Sequence, residues 1–266
     1  MFDSIAGDYD SLNHILSLDV DKIWRKKALK QIVDAPAPAR VLDLACGTGD
    51  FSIAIAKALS RSHKRVGTPI EAHVKAPAKA PVEAQVTSTG FVTGDSGRLD
   101  LMTKGHVTGV DLSEGMLAVM REKVAKAGLT EMISIEEGDG ENLRFPDNTF
   151  DRVTIAFGIR NFEDRPKGLR EMLRVLKPGG RLVILELSRP ENKVIRWFYD
   201  LYFLHILPKI GGKVSGDKAA YAYLPASVAA FPGKKAFMAT MREAGFRAVT
   251  HKAFTLGICR MYTGEK

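Results

Sequence analysis

A glycine-rich turn between acidic residues is the first feature of this sequence that could do chemistry. It is typical of a buried strand that runs into a turn and then a helix, and it reads Val41-Leu42-Asp43-Leu44-Ala45-Cys46-Gly47-Thr48-Gly49-Asp50. Glycine at Gly47 and Gly49 lets the backbone approach a ligand closely. The dinucleotide-binding fingerprint requires glycine or alanine where this chain has Ser52. Asp43 and Asp50 would repel a pyrophosphate, so the turn favours a cationic ligand without phosphate, such as S-adenosylmethionine (SAM). A tight strand–helix turn that binds nothing stays open as the alternative.

Two further acidic residues follow the next two predicted strands. Asp111 lies 62 positions after the last glycine of the turn, or 18 when the 44-residue segment 62–105 is set aside. That spacing is close to the ~20 residues typical of a ribose-binding carboxylate. We expect Asp111 to accept both ribose hydroxyls, and Ser113 to be the helix N-cap. Asp139 is expected to accept the adenine amino group with Gly140 packed near the ring, although an ordinary polar loop could carry both. Three such turns at the carboxyl ends of strands predict one ligand crevice.

The composition is that of an ordinary globular chain with a basic excess. Of the 266 residues, 45% are hydrophobic and 26% are charged, and the net charge is +8. The excess favours acidic partners, such as nucleic acid or an anionic membrane face, without deciding between them. Cys46 and Cys259 are the only cysteines, too few for a zinc cluster or a disulfide framework, which favours a reducing cytosol. The acidic first residues argue against a secretory signal, and the apolar stretch 197–207 is too short to span a bilayer. We therefore expect a cytoplasmic protein.

The elements that must position these residues alternate between strand and helix patterns. Apolar, β-branched runs predict strands at 40–44, 107–110, 132–136, 152–157, 181–187, 248–253 and 258–262. Helical patterns predict helices at 51–59, 114–127, 166–176 and 235–244. This alternation is typical of βαβ units and a mostly parallel sheet with helices on both faces. Only a short turn around residues 255–257 separates the last two strands, so the final strand must be antiparallel. The prediction is a Rossmann-like α/β fold with a seven-stranded sheet.

These motifs resemble the ubiquinone/menaquinone biosynthesis C-methyltransferases, a family of class I SAM-dependent methyltransferases. The resemblance covers nearly the whole chain apart from residues 62–105. Its most specific blocks are Phe2-Asp3-Ser4-Ile5-Ala6 with Tyr9, Asp10 and Asn13, and Phe157-Gly158-Ile159-Arg160-Asn161. Less specific matches are the glycine-rich turn, residues 110–117, Phe145-Pro146-Asp147-Asn148, and the widespread block at 174–180.

The resemblance implies SAM-dependent methylation of a ring carbon of a polyprenylated hydroquinone, either demethylmenaquinol or the ubiquinone-pathway benzoquinol. With the residue arguments above, the expected cofactor contacts are Asp43, Gly47, Thr48, Gly49, Asp111, Leu112, Asp139, Gly140 and Ala156. Ala156 stands where some relatives have serine, so only a backbone or packing contact is implied there. No metal is expected, because the sulfonium of SAM is already a strong electrophile.

The expected catalytic residues are Arg160, Asn161 and Tyr9. Arg160 follows the fourth strand and is expected to stabilise a developing phenolate and to orient a water that takes the proton. Asn161 is expected to donate a hydrogen bond to a quinol oxygen. The structural alternative for Arg160 is an ion pair with Glu163 or Asp164. Tyr9 would position SAM or the ring, unless it only packs in an amphipathic helix.

One domain is expected over residues 1–266, with three local additions. Residues 1–35 are expected to form an N-terminal helical cap that closes over the site. Residues 62–105 contain a low-complexity Ala/Pro/Lys stretch, which predicts a flexible surface insertion. Residues 189–233 are expected to be a helical insertion on the substrate side. Within it, residues 193–212 are apolar nearly all round, so that helix is either buried or forms a wall for an isoprenoid tail.

Three other functions stay open at this stage. A small-molecule O- or N-methyltransferase would share the turn but has no reason to carry the block at 157–161 or the aromatic helix. An RNA methyltransferase fits the basic charge, but no appended RNA-binding module is visible, and we expect no nucleic-acid partner. A SAM-binding, non-catalytic subunit of a quinone-synthesis complex is the third. The expected partners are a lipophilic prenylated quinol and, transiently, the inner face of the membrane, with a homodimer or quinone-synthesis complex also open.

Overall fold

The computed structural model describes residues 20–35, 39–66, 105–202 and 218–266, with side chains except at 62–66 and 218–222. Seven strands form one sheet: β1 (Arg40–Leu44), β2 (His106–Asp111), β3 (Ile133–Glu137), β4 (Phe150–Ala156), β5 (Leu176–Leu187), β6 (Arg247–Phe254) and β7 (Cys259–Glu265). The helices are α1 (Val20–Ile32), α2 (Asp50–Val66), α3 (Glu114–Lys126), α4 (Arg165–Val175), α5 (Lys193–Leu201), α6 (Lys218–Ala230) and α7 (Lys234–Glu243). Two short 3-10 turns complete the described elements: Ile159–Asn161 and Thr255–Gly257.

The strand order is β3-β2-β1-β4-β5-β7-β6, and β1 to β5 are parallel. β7 is antiparallel to both of its neighbours, β5 and β6. This confirms the predicted sheet with one reversed final strand. Because the chain moves outward from β1 to β2 and β3 and then returns to the other side of β1, the order reverses between β1 and β4. Open α/β sheets bind ligands outside the carboxyl ends of the strands at such a reversal.

Each face of the sheet carries its own apolar core. On one face, helices α1, α2 and α3 bury Trp24, Phe51 and Leu117 against β1 and β2. On the other face, α4 and α7 bury Met172 and Phe237 against β4 and β5. The four-residue spacing of Trp24, Ala28 and Ile32 explains why α1 lies along the sheet, because residues four apart share one helix face. Among the helices of the described ranges, none has both the length and the apolar character to cross a bilayer.

β1 has the predicted bounds, but two predicted boundaries are wrong by five residues or more. α2 continues to Val66, so the expected insertion does not begin at residue 62. Residues 50–66 contain neither glycine nor proline, and the first helix breakers after them are Gly67 and Pro69, which accounts for the longer helix. β5 begins at Leu176, which pairs with Phe150, rather than at residue 181. Pro178 disfavours helical backbone at the residue before it, so the chain is extended from that point.

Several sequence expectations fall outside the described residues. Tyr9 and most of the expected cap at 1–35 lie there, as does the stretch 67–104 of the expected insertion. Residues 203–217 lie there too, so only the first part of the aromatic segment is described.

Candidate active site

The glycine-rich turn after β1 adopts the backbone conformations that its glycines allow. Gly47 and Gly49 have φ of 55° and 83°, and Ala45 shares this left-handed region with φ of 48°. A Cβ at Gly49 would collide with the side chain of Met120 on α3. Glycine is therefore required at this position for both conformation and space. Cys46 and Thr48 complete the turn, and Thr48 is buried.

Asp43 is a buried carboxylate at the base of this turn. Its side chain is 1% exposed, and Ser52 Oγ donates a hydrogen bond to its Oδ2 at 2.5 Å. Burial raises the pKa of Asp43 to about 7, although the Ser52 hydrogen bond and the positive charge of Arg25 act in the opposite direction. A carboxylate in this position favours a cation beside it, because a positive charge offsets the cost of burying the negative one.

Asp111, at the end of β2, is held by backbone donors on two sides. Gly47 N donates to Oδ2 at 2.8 Å, and Ser113 N donates to Oδ1 at 2.9 Å. Ser113 Oγ in turn accepts from Met116 N and caps α3, which confirms the predicted N-cap. The turn after β1 and the end of β2 are thereby fixed to each other, with the carboxylate of Asp111 at the wall of a cavity.

That cavity, the loop cavity, has a volume of about 450 Å³ and is built from the turns after β1, β2, β3 and β4. Leu112, 69% exposed, stands at its opening. Asp139 and Gly140 form its far wall, where Asp139 Oδ1 accepts from Glu141 N at 2.8 Å. A Cβ at Gly140 would lie 2.5 Å from Cζ of Phe162, so glycine lets this loop pack on the aromatic ring. Phe162 also lines the cavity, and sequence reasoning missed it.

A second cavity, the helix cavity, has a volume of about 460 Å³. It begins at Asp43, Thr48 and the rest of the glycine-rich turn and extends between helices α1, α5 and α6. Its walls are largely aromatic and aliphatic. The lining side chains that come from distant parts of the chain are Trp24, Phe157, Leu187, Ile195, Phe198, Tyr199, Tyr202, Leu224, Leu256 and Ile258. Trp24 Nε1 donates to Thr255 Oγ1 at 2.9 Å, which joins α1 to the turn after β6. The aromatic segment at 193–202 is thus a cavity wall as well as a packed helix.

The two cavities meet at four residues that line both: Ala45, Gly47, Ala156 and Phe157. Phe157 has φ of 64°, a left-handed conformation that costs a bulky residue of order 1–3 kcal/mol. Trp24 packs on its ring with centroids 6.2 Å apart, and the Arg25 guanidinium lies 5.5 Å from the ring centroid. Strained residues of this kind concentrate at ligand sites. Ala156, for which a packing contact to a ligand was expected, lies at this junction and lines both cavities.

Arg160 lies on the wall of the helix cavity, and its ion-pair partner is Glu186. Its Nη1 contacts Glu186 Oε1 at 2.8 Å, and its backbone N donates to Glu186 Oε2 at 3.1 Å. Its Nε donates to Ser227 Oγ at 3.3 Å, and Nη1 also donates to the carbonyl of Phe157. The structural alternative, an ion pair with Glu163 or Asp164, is therefore wrong. Asp164 instead caps α4 by accepting from Lys167 N.

Asn161 lines the loop cavity rather than the helix cavity. Its Oδ1 accepts a hydrogen bond from the hydroxyl of Tyr223 on α6 at 2.9 Å. The structure thus separates Arg160 and Asn161, which were expected to act on the same quinol. The expected contact of Asn161 with a quinol oxygen stays a prediction.

Glu186 is the most important residue that sequence reasoning missed. It is fully buried and holds the guanidinium of Arg160 from β5. The signal was present in the sequence, because a single acidic residue inside the apolar run 182–187 requires a buried partner. The partner could not be deduced from the sequence, because Arg160 lies 26 positions away, in the turn that follows the neighbouring strand β4.

The fold and the site define the class of protein. The crystal structure of a SAM-dependent methyltransferase from Aquifex aeolicus superposes with a TM-score of 0.54 at 19% identity, covering 90% of this chain and 88% of that one. The sheet order, the glycine-rich turn and the acidic residue after β2 are those of a class I SAM-dependent methyltransferase.

The model of the ubiE/COQ5 methyltransferase family matches residues 1–266, and the chain belongs to this family. The ubiquinone/menaquinone biosynthesis C-methyltransferase UbiE of Geobacter sulfurreducens is 44% identical over 266 residues, which is 100% of this chain and 87% of that protein. The demethylmenaquinone methyltransferase of Bacteroides fragilis is 39% identical over 266 residues, 100% of this chain and 91% of that protein. The resemblance inferred from the sequence motifs is confirmed.

Proposed function

We propose that this protein transfers the methyl group of SAM to a ring carbon of a polyprenylated hydroquinone. The observation that carries the proposal is the helix cavity, an aromatic chamber that joins the loop cavity at the strained residue Phe157. The names of the similar proteins support a quinone-pathway substrate. An O- or N-methyltransferase acting on a small polar acceptor would have little use for so large an apolar wall.

The loop cavity and the glycine-rich turn suit SAM in both shape and charge. In this proposal Asp111 holds the ribose, Asp139 and Gly140 hold the adenine, and Leu112 covers it at the opening. Gly47, Thr48, Gly49 and Asp43 hold the methionine end, where the buried carboxylate of Asp43 faces the cationic groups. SAM supplies an electrophilic methyl group on its sulfonium, so the proposed reaction needs no metal.

On the acceptor side, Arg160 is the proposed catalytic residue. A guanidinium at the wall of a largely apolar cavity stabilises the phenolate form of the quinol, and the phenolate pushes electron density onto the ring carbon that is methylated. The S–CH3 bond of SAM breaks as the new C–C bond forms, and a water oriented by Arg160 takes the displaced ring proton. Glu186 on β5 holds the guanidinium in place through Nη1. Tyr223 and Asn161 connect α6 to the same 3-10 turn, so they support the position of Arg160 from the other side. Tyr9 stays a proposed contact of SAM or the ring.

The additions to the fold have proposed roles in the same reaction. Residues 1–35 would close the helix cavity, and α1 already forms part of its wall. Residues 189–233 would hold the isoprenoid tail. We propose that the protein works in the cytoplasm at the inner face of the membrane, where such a substrate resides.

The test is methyl transfer by the purified protein from isotopically labelled SAM to two reduced acceptors, a demethylated naphthoquinol and a demethylated benzoquinol. We expect a ring C-methyl product, identified by mass spectrometry and NMR, and a lower rate of its formation in Asp111→Ala when SAM is below saturation. An O-methyl product would favour the O-methyltransferase alternative, and SAM binding without transfer to either acceptor would favour a non-catalytic subunit. Quinone analysis in a strain lacking the gene would then identify the ring that is methylated in the cell.

A further inference from the structure

The exposed apolar side chains of this protein concentrate at the helix cavity. Seven large apolar side chains are exposed in the described residues, and four of them lie on α5: Val194, Trp197, Phe198 and Leu201. A fifth, Leu256, is 72% exposed and belongs to the 3-10 turn after β6. Phe198 and Leu256 also line the cavity. We name these five residues the apolar rim.

The rim is a defined surface of a well-anchored helix. Residues 194, 197, 198 and 201 fall on one helix face, because residues three or four apart are neighbours. Trp197 and Phe198 are each 61% exposed, and their rings meet edge to face with centroids 4.9 Å apart. On the anchored side, the side-chain oxygen of Asn192 caps the first turn, and Arg189 pairs with Asp200 at 2.6 Å. The helix therefore presents its aromatic face to solvent while its other side is fixed.

Basic residues flank the rim on both sides of the cavity. Lys193 is exposed at the start of α5, four residues before Trp197. On the opposite side, Lys27 of α1 has its Nζ 4.9 Å from the ring centroid of Phe254, two residues before Leu256. Lys26 and Lys30 are exposed next to it on the outer face of α1. A tryptophan among aliphatic side chains with lysines around them is the composition of proteins that lie at an anionic lipid interface.

We propose that the apolar rim docks on the surface of an anionic phospholipid bilayer, with Trp197 in the headgroup region and the lysines on lipid phosphates. The mouth of the helix cavity then opens towards the lipid, so a lipophilic acceptor enters without crossing water. This proposal rests on the proposed function for the identity of the acceptor. A protein partner on the same face would cover Phe198 and Leu256 and close the entrance they form.

The two tryptophans of the chain allow a direct test. Trp24 is 4% exposed and Trp197 is 61% exposed, so a change of fluorescence on adding lipid reports on Trp197. We expect the full-length protein to bind vesicles of phosphatidylcholine with phosphatidylglycerol, and brominated lipids to quench its emission. Trp197→Phe should remove that quenching while leaving vesicle binding largely intact.

Variants test which residues form the surface. Trp197→Ser should weaken binding to the mixed vesicles about tenfold, because it removes a large side chain from the interface. Lys27→Glu and Lys193→Glu should each weaken it about fivefold or more, the effect of one basic residue at an anionic surface. Lys57→Glu on α2, an exposed lysine that lines neither cavity, is the matched charge control. Leu112→Ser at the loop cavity is the matched apolar control for vesicle binding alone.

Two results would overturn the proposal: vesicle binding equal in the wild type, Trp197→Ser and the lysine variants, or no vesicle binding at all. A dimer in solution that Trp197→Ser makes monomeric would also overturn it, because a second copy would then cover the rim. A water-soluble, short-chain quinol separates this proposal from the proposed function. If it is methylated equally by wild type and Trp197→Ser without vesicle binding, only the docking surface is wrong. If vesicles bind but no quinol is methylated, only the function is wrong.

Discussion

The loop cavity and the helix cavity have nearly equal volumes, about 450 and 460 Å³, but they are built in opposite ways. The loop cavity consists of turns that follow β1 to β4, each within a few residues of the strand that positions it. Beyond the glycine-rich turn at 43–51, the walls of the helix cavity come from residues 20–25, 156–160, 187–202, 224 and 255–258. In the first, a short motif carries its own geometry. In the second, the wall residues come together only after the whole domain has folded. A local cofactor motif can therefore be combined with different acceptor cavities.

The largest expected effect lies in the helix cavity, at Arg160. Arg160→Ala should lower kcat about 10²–10³-fold, the range for removal of one preorganised donor, with little change in SAM affinity. It should also reduce the free energy of unfolding by about 3–5 kcal/mol, because Glu186 stays buried without its partner. Arg160→Lys should restore little turnover, since an ammonium lacks the planar fork. Steady-state kinetics, calorimetry and thermal melting measure the three effects.

A double variant separates the two roles of Arg160. In Arg160→Ala/Glu186→Gln, the uncompensated charge is gone, so stability should recover while turnover stays low. If turnover recovers with stability, Arg160 is a structural residue and the phenolate partner must be sought elsewhere on the cavity wall.

The next effect concerns Asp43, which borders the helix cavity where the methionine end of SAM is proposed to bind. Because its folded-state pKa of about 7 lies above the ~3.9 of an unfolded chain, the folded protein holds the proton more tightly. The stability of the ligand-free protein should therefore fall as pH rises from about 4 to 7, by up to about 4 kcal/mol from this group. Asp43→Asn should flatten that dependence in denaturant unfolding at several pH values. Equal pH dependence in the two proteins would show that the carboxyl is not buried as described.

Asp111 provides the counterpart in the loop cavity. Asp111→Ala should weaken SAM binding by roughly 1.5–3 kcal/mol, the value of a charge-assisted hydrogen-bonding group. At saturating SAM its kcat should stay close to wild type, the reverse of the pattern at Arg160. Titration calorimetry measures the affinity, and Asp147→Ala, at an exposed carboxylate that pairs with Arg174 and lines neither cavity, is the control. Unchanged SAM affinity in Asp111→Ala would remove this residue from the cofactor site.

The smallest expected effect comes from deleting residues 68–95. This connection joins α2 to β2. α2 ends and β2 begins at the amino edge of the sheet, where Arg40 pairs with His106. Both cavities lie at the carboxyl edge. Changing the length of a loop costs little entropy, so SAM affinity and turnover should stay near wild type. A folded deletion variant that no longer binds SAM would contradict the prediction.

The sequence predicted the loop cavity far better than the helix cavity, for a physical reason. Asp111 and Ser113 could be assigned because a strand end, a carboxylate and a helix cap are local features. The hydrogen bond from Met116 N confirms the cap at Ser113, and the ribose contact of Asp111 stays a prediction. The partner of Arg160 could not be assigned locally, because it depends on the pairing of β4 with β5 and on side-chain packing between them. The contact of Trp24 with Thr255 joins residues 231 positions apart. A contact between residues so far apart cannot be predicted from a periodic pattern in the sequence.

The shared residues at Phe157 and Ala45 have a consequence for the order of events in turnover. Each chamber has exposed lining residues of its own: Leu112 for one, Phe198 and Leu256 for the other. Neither reactant therefore has to pass through the space that the other occupies. We expect the spent cofactor to be exchanged with the aqueous phase while the methylated lipid departs by its own exit, so that neither product has to wait for the other to leave.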